Sequence, residues 1–142
     1  QLSRFEKVSA NAVAAYIHGA FRMGVLVGLS KNSASILDAG RDVAMQIAAM
    51  NPVAVSPDSV PVSVVERERA IVTDQIKNDP KMAGKPDEMI DKIATGKLNA
   101  FFKENTLTAQ AYVKEPGKTV GEYLRSVDSE VKITEFKRVQ LG

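Results

Sequence analysis

The chain has 142 residues, of which 44% are hydrophobic and 25% are charged, and its formal net charge is +2. This length and composition predict a single domain with a real hydrophobic core and exclude a disordered chain. The small net charge gives no sign of a nucleic-acid or membrane surface, and the absence of cysteine excludes disulfides, thiolate zinc sites and a cysteine nucleophile.

The first elements along the chain are predicted strands. A short strand is predicted from Leu2 to Val8, and a second one where Val13, Ala15 and Ile17 alternate with other residues. In the segment 23–29, the apolar side chains at every second position share one face. The last two segments therefore predict a β-hairpin with a short loop.

The segment 35–52 is the longest strongly periodic stretch of the chain and predicts an amphipathic helix. Its apolar stripe ends on Ile47 and Met50, whereas Gln46 is assigned to the polar side with the charged residues. The proline that closes the segment disfavours helical torsions in the residue before it, so the helix is expected to end at Asn51. Such a helix should cover one face of the predicted sheet.

Two further helices are predicted between residues 60 and 104. Pro61 and Pro86 suit helix starts, each is followed by an apolar stripe, and Asn78-Asp79-Pro80 ends the first helix. Two comparable helices with a short polar tip between them predict an antiparallel hairpin. The eight basic and eight acidic residues of this region cancel, which favours a solvated surface over a polyanion-binding arm.

The predicted hairpin is followed by a connector and a short helix. Residues 106–116 are predicted to be irregular, and they carry Tyr112 and Val113. Thr119, with a glutamate three residues later, forms a capping box that predicts a short helix.

The closing segment 131–141 predicts a strand in which Phe136 falls on the opposite face to its apolar neighbours. A bulge or an edge position would explain that mismatch. Together the elements predict an α+β fold with a small antiparallel sheet packed on helices. The predicted core comprises residues 1–59 and 105–142, and residues 60–104 are expected to form an antiparallel helical hairpin that protrudes from it.

Motifs for chemistry are sparse. Gly117-Lys118-Thr119 matches the end of a phosphate-binding P-loop, but Tyr112 stands where the motif needs glycine, which favours an ordinary capped helix start. His18 is the only histidine, which excludes sites with several histidine ligands, and no catalytic constellation is found. From its position alone, hydrogen bonding at the hairpin turn is favoured over a functional role for His18.

Sequence blocks in a fixed order run through the chain: Tyr16-Ile17-His18-Gly19, Arg22-Met23-Gly24-Val25, Asp42-Val43-Ala44-Met45-Gln46-Ile47, Gly84-Lys85-Pro86, Lys92-Ile93-Ala94-Thr95-Gly96-Lys97-Leu98 and Phe101-Phe102-Lys103-Glu104. In this order they resemble the elongation factor Ts family of bacterial translation factors. The resemblance covers essentially the whole chain. It implies the C-terminal half of the family's core together with its inserted coiled-coil hairpin, the region called the dimerisation domain.

The resemblance implies a cytoplasmic guanine-nucleotide exchange factor for elongation factor Tu, which is a regulatory binding protein and not an enzyme. It implies no cofactor, no metal, and no direct contact with nucleic acid or membrane. The family's nucleotide-displacing Asp-Phe pair lies in a Thr-Asp-Phe-Val motif that does not occur in this sequence. This part is therefore expected to supply docking contacts. The alternative is a self-association module, a possible homodimer, without exchange activity of its own.

The resemblance also implies which residues contact the partner. They are His18 and Gly19, in the Tyr-x-His-Gly turn, and Tyr112 and Val113, in the connector; a buried structural role is the alternative for Val113. The sequence departs from the family where Gln110-Ala111-Tyr112 replaces the usual Gln-Pro-Phe. A second departure is the hairpin tip, which is about one helical turn longer than is usual.

Overall fold

The computed structural model describes residues 6–19 and 22–140. Along the chain the elements are β1 (Ala12–His18), β2 (Met23–Leu29), α1 (Ala34–Met50), α2 (Val62–Lys77), α3 (Asp87–Asn105), β3 (Ala111–Tyr112), β4 (Glu115–Thr119), α4 (Val120–Val127) and β5 (Ile133–Gln140). The fold class is α+β, as predicted. Among the described residues, no helix combines the length and apolar character needed to cross a bilayer.

The main sheet has three antiparallel strands in the order β1, β2, β5. β1 and β2 form the predicted hairpin, with Ala12 opposite Leu29 and His18 opposite Met23. The strand predicted from Leu2 to Val8 lies partly outside the described residues, and residues 6–8 are not in a strand.

Helix α1 covers one face of this sheet, and its ends are set by local chemistry. The Ser33 hydroxyl accepts a hydrogen bond from the backbone N–H of Ile36, which caps the N-terminus. At the other end Asn51 adopts a left-handed conformation with φ of 46°, so the helix ends where the sequence predicted. Two side chains differ from prediction, because Met50 is exposed and Gln46 is completely buried.

The core forms where α1 meets the inner face of the sheet. Val25 and Val27 of β2 pack with Val43 and Ile47 of α1, and all four are essentially inaccessible to solvent. Each such side chain contributes about 1.5–3 kcal/mol by leaving water. Met50 lies outside this cluster because it is three residues beyond Ile47, the last buried residue of the helix.

Strand β5 contains a bulge that explains why Phe136 falls out of the regular alternation of apolar residues. Its pairing with β2 shifts between Gly28 and Leu29, so that Glu135 faces Gly28 while Ile133 faces Leu29. The extra residue in this bulge turns Phe136 to the same inward face as Ile133. β5 is also an edge strand of the sheet, so both predicted explanations are confirmed.

Helices α2 and α3 pack against each other. Val72 and Ile76 near the end of α2 form a small buried cluster with Ile90 and Ala94 near the start of α3, which makes the pair antiparallel. The exposed Ile71 shows that the predicted stripe is only partly buried. That the helices supercoil as a coiled coil stays a prediction.

The connector is more ordered than predicted. Instead of an irregular segment, β3 and β4 form a two-stranded antiparallel ribbon in which Tyr112 pairs with Glu115. α4 follows with the predicted capping box, in which Thr119 and Glu122 each bond the other's backbone N–H. A strand of two residues, such as β3, leaves no periodic pattern in the sequence, so periodicity does not predict the ribbon.

Candidate functional site

His18 and Gly19 lie at the end of the β1–β2 hairpin. The His18 ring is exposed and stacks on Tyr16 at 5.9 Å between centroids, and the Tyr16 hydroxyl lies 3.0 Å from His18 Nδ1. Gly19 has a φ of 64°, a left-handed conformation that favours glycine, and its carbonyl accepts a hydrogen bond from the Arg22 N–H at 3.2 Å. The His18 imidazole is therefore exposed but held in place by its contacts with Tyr16 and by the hydrogen-bonded turn.

A small cavity of about 100 Å³ lies beside His18. It is lined by Tyr16 and His18 of β1 and by Met45, Ala48 and Ala49 of α1. The histidine thus sits against the second half of α1.

Val113 and Tyr112 differ in exposure although they are neighbours. Tyr112 is 4% exposed, and its ring packs edge-on against Tyr123 of α4 with centroids 4.4 Å apart. Val113, in the turn between β3 and β4, is 41% exposed. Of these two residues, Val113 is the one with side-chain surface available for contact, while Tyr112 anchors the ribbon.

The ribbon is tied to α1 by the buried side chain of Gln46. Its Oε1 accepts a hydrogen bond from the Val113 backbone N–H at 2.9 Å, and its Nε2 donates to the Ala111 carbonyl at 3.0 Å. The same Nε2 lies 3.3 Å from Oε1 of Gln110, a second buried glutamine.

A second tie runs through Asp42, one turn earlier on α1. Its carboxylate accepts hydrogen bonds from the Lys114 ammonium at 2.5 Å and from the Tyr123 hydroxyl at 2.8 Å. Burial, followed by the bond to Asp42, raises the pKa of Tyr123 well above its usual range, and the bond to Asp42 raises the pKa of Lys114. Tyr123 is therefore a neutral donor and Lys114 a cation at neutral pH.

The two predicted contact regions both border the same stretch of α1. Asp42 holds Lys114 next to Val113, and Met45, three residues further along, borders the cavity beside His18. Residues three apart on a helix are neighbours on its surface, so a single helical turn joins the two regions. The sequence assigned Gln46 to the solvent side of this helix and so missed its part in the arrangement, because periodicity does not distinguish a buried amide from an exposed one.

Two exposed side chains, those of His18 and Val113, lie beside α1. An exposed aromatic ring and an exposed aliphatic side chain stand on supports that hydrogen bonds hold in place, which limits the entropy lost on binding. Among the described residues, no group of three or more His, Asp or Glu side chains is placed to hold a metal ion.

The whole chain, residues 1–142, matches the family model described as "Elongation factor TS". Proteins named Elongation factor Ts from Christiangramia forsetii, Amoebophilus asiaticus and Alcanivorax borkumensis are 40%, 44% and 41% identical to it. The matches cover 100%, 99% and 100% of this chain and 50%, 50% and 47% of the three relatives. The chain therefore spans about half the length of these curated relatives.

Proposed function

Because this chain belongs to the elongation factor Ts family, we propose that it is a binding part of a guanine-nucleotide exchange factor whose partner is elongation factor Tu. Its role is regulatory and not enzymatic. The family match over all 142 residues supports this proposal. The missing Thr-Asp-Phe-Val motif supports a restriction, namely that this part docks on the partner without displacing its nucleotide.

Exchange activity has a thermodynamic requirement that separates docking from displacement. The factor must bind the nucleotide-free partner more tightly than the nucleotide-bound one, and by linkage the nucleotide weakens the factor equally. A part that only docks binds both forms alike, and so it leaves the nucleotide equilibrium unchanged.

The docking face that we propose comprises the His18–Gly19 turn and the Val113 loop, with Tyr112 as the buried anchor of that loop. The main observation in favour of this face is that helix α1 supports both regions. Met45 borders the cavity at His18, and the adjacent Gln46 binds the Val113 backbone. The resemblance implies partner contacts at positions 18 and 112, which are 94 residues apart in the sequence. Helix α1 connects these two regions in the fold.

Helices α2 and α3 form the inserted arm in this proposal. Their buried cluster of Val72, Ile76, Ile90 and Ala94 is separate from the main core, which is consistent with a unit that packs largely on itself. Backbone hydrogen bonds from Val53 to Asn105 and from Leu107 to Ala54 fix the base of this arm.

The proposal predicts binding without exchange. We expect the chain to bind elongation factor Tu in a titration, and to speed release of a fluorescent GDP analogue by less than about twofold. Replacing His18 with alanine should weaken binding about tenfold, because central aromatic contacts of an interface typically contribute more than 1 kcal/mol.

Asn32→Ala is the control for this experiment. Asn32 is exposed and precedes α1, at the opposite end of the β1–β2 hairpin from His18, so its loss should leave the affinity unchanged. Equal affinities for the His18→Ala variant and the unaltered chain would contradict the docking face. GDP release at the rate produced by a complete exchange factor would contradict the division of roles.

Self-association is a second candidate, favoured by the outer face of the sheet. Ile17 is 58% exposed there, and it lines a largely apolar cavity of about 310 Å³ together with Leu26, Val139 and the charged Lys137. An outward sheet face is usually polar when it faces water, so the apolar side chains on this face favour contact with another protein surface. The register also places Glu135 and Lys137 on this face. In a twofold pairing, the glutamate of one copy lies against the lysine of the other.

This candidate predicts that Ile17→Lys weakens the dimer at least tenfold, because each copy would bring an uncompensated charge to an apolar contact. Sedimentation at several protein concentrations measures the dissociation constant. Val62→Lys, the same kind of change at an exposed position on α2, is the matched control. A monomer at every concentration tested would rule out self-association.

A further inference from the structure

The side chain of Gln46 occupies an unusual place for an amide. It projects from the middle of α1, is completely inaccessible to solvent, and ends against the backbone of the Val113 loop. Burying an amide is costly unless its donor and acceptor atoms find partners, and here both do. Nothing in the hydrophobic core requires an amide at this position.

The hydrogen bonds of the Gln46 carboxamide have the arrangement that a neighbouring strand makes with one edge of an extended backbone. The Ala111 carbonyl and the Val113 N–H, which flank Tyr112, both reach the Gln46 carboxamide, at 3.0 and 2.9 Å. Tyr112 itself pairs with Glu115 of β4. The carboxamide therefore acts as the neighbouring peptide would in a sheet, offering one donor and one acceptor.

No other common side chain reproduces this pattern. A carboxylate of the same length accepts from the Val113 N–H but presents a second acceptor to the Ala111 carbonyl, and an apolar side chain satisfies neither group. Only two residues, Val113 and Lys114, separate Tyr112 from its partner Glu115, and the ribbon has only two paired positions, Ala111 with Thr119 and Tyr112 with Glu115. The Gln46 contact is therefore the tie that holds the backbone of the Val113 loop, whereas the bond from Lys114 to Asp42 holds only a side chain of that loop.

We propose that Gln46 is the positioning residue of the docking surface: its carboxamide completes the free edge of β3 and thereby holds Val113 in the exposed place from which it meets the partner. This inference rests on the proposed function, since it assumes that Val113 contacts elongation factor Tu. Gln46 is buried and cannot touch the partner, so its effect on affinity acts through the Val113 loop.

The test is a double-mutant cycle combined with amide exchange. Gln46→Met removes both hydrogen bonds at nearly constant length, and Gln46→Asn keeps the amide but shortens its reach, which also provides a milder variant should the first fold poorly. We expect hydrogen exchange of the Val113 amide to accelerate about tenfold or more and the affinity for elongation factor Tu to fall about tenfold, as loss of a buried hydrogen-bond partner typically allows. In a Val113→Ala background the same change should cost almost nothing further.

Ile47→Val is the matched control, because it alters the next residue of α1 on the side facing the core. It should lower the stability slightly while leaving both the Val113 amide and the affinity unchanged. Unchanged affinity in the Gln46 variants, when Val113→Ala itself weakens binding, would overturn the inference and leave the proposed function intact. If Val113→Ala does not weaken binding, the Val113 part of the proposed docking face fails first, and the inference fails with it.

Discussion

Replacing Ile47 with alanine is expected to lower the free energy of unfolding by about 2–5 kcal/mol. Ile47 is completely buried between α1 and the inner face of the sheet, in the same cluster as Val27 and Leu29. Truncation removes three methyl or methylene groups and leaves a cavity that a well-packed core closes only in part. Urea denaturation followed by circular dichroism at equilibrium measures the loss.

Ile71→Ala provides the comparison, because the same atoms are deleted from a side chain that is 43% exposed on α2. We expect a loss of about 1 kcal/mol or less there, since much of the isoleucine already contacts water. Equal losses at the two positions would mean that α1 does not pack on the sheet as described. A changed slope with urea would instead indicate an altered denatured state.

The elements that sequence predicted well are those with long patterns or strong local signals. α1 spans 17 residues, and its apolar period repeats over several turns, so its existence and face follow from spacing alone. Its end follows from the Asn51-Pro52 pair. The edge strand β5 could be predicted together with its bulge, because one misplaced aromatic residue, Phe136, broke an otherwise regular alternation.

The elements that sequence missed depend on contacts between distant positions. The β3–β4 ribbon is too short for a pattern, and its free edge is satisfied by Gln46, which lies 67 residues before Val113. Because of the same separation, the helical period places Gln46 with Asp38 and Arg41 on the polar side of α1. A polar residue on a helix is assigned to solvent by default, and only the folded structure reveals a buried backbone edge that needs an amide.

The candidate site could be predicted only in part for the same reason. His18 and Val113 came from the family resemblance, and neither shows by periodicity that it belongs to a shared surface. Their relation depends on Asp42, Met45 and Gln46, which lie on α1 between the two regions. The periodicity of the helix and the resemblance assign none of these three residues a part in a contact surface, since a helical wheel shows which face a side chain occupies but not what lies against it.

Glycine-to-alanine changes in two helices are expected to change the free energy of unfolding in opposite directions. At Gly40 in α1, an added Cβ would lie 2.7 Å from the Ala14 Cβ and 2.7 Å from the Leu29 Cδ1, closer than carbon atoms approach. At Gly96 in α3, an added Cβ meets no atom within 4 Å. Alanine is preferred over glycine in helix interiors by about 1 kcal/mol, so steric fit decides the outcome.

We expect Gly96→Ala to raise the free energy of unfolding by about 0.5–1 kcal/mol, because it gains the helical preference without a clash. Gly40→Ala should lower it by about 1–2 kcal/mol, because overpacking a tight core costs about 1–3 kcal/mol and exceeds that gain. Thermal and urea unfolding of both variants measure the difference. Stabilisation by both changes would show that α1 stands further from β1 and β2 than described, since Ala14 and Leu29 are the side chains that an alanine at position 40 must displace.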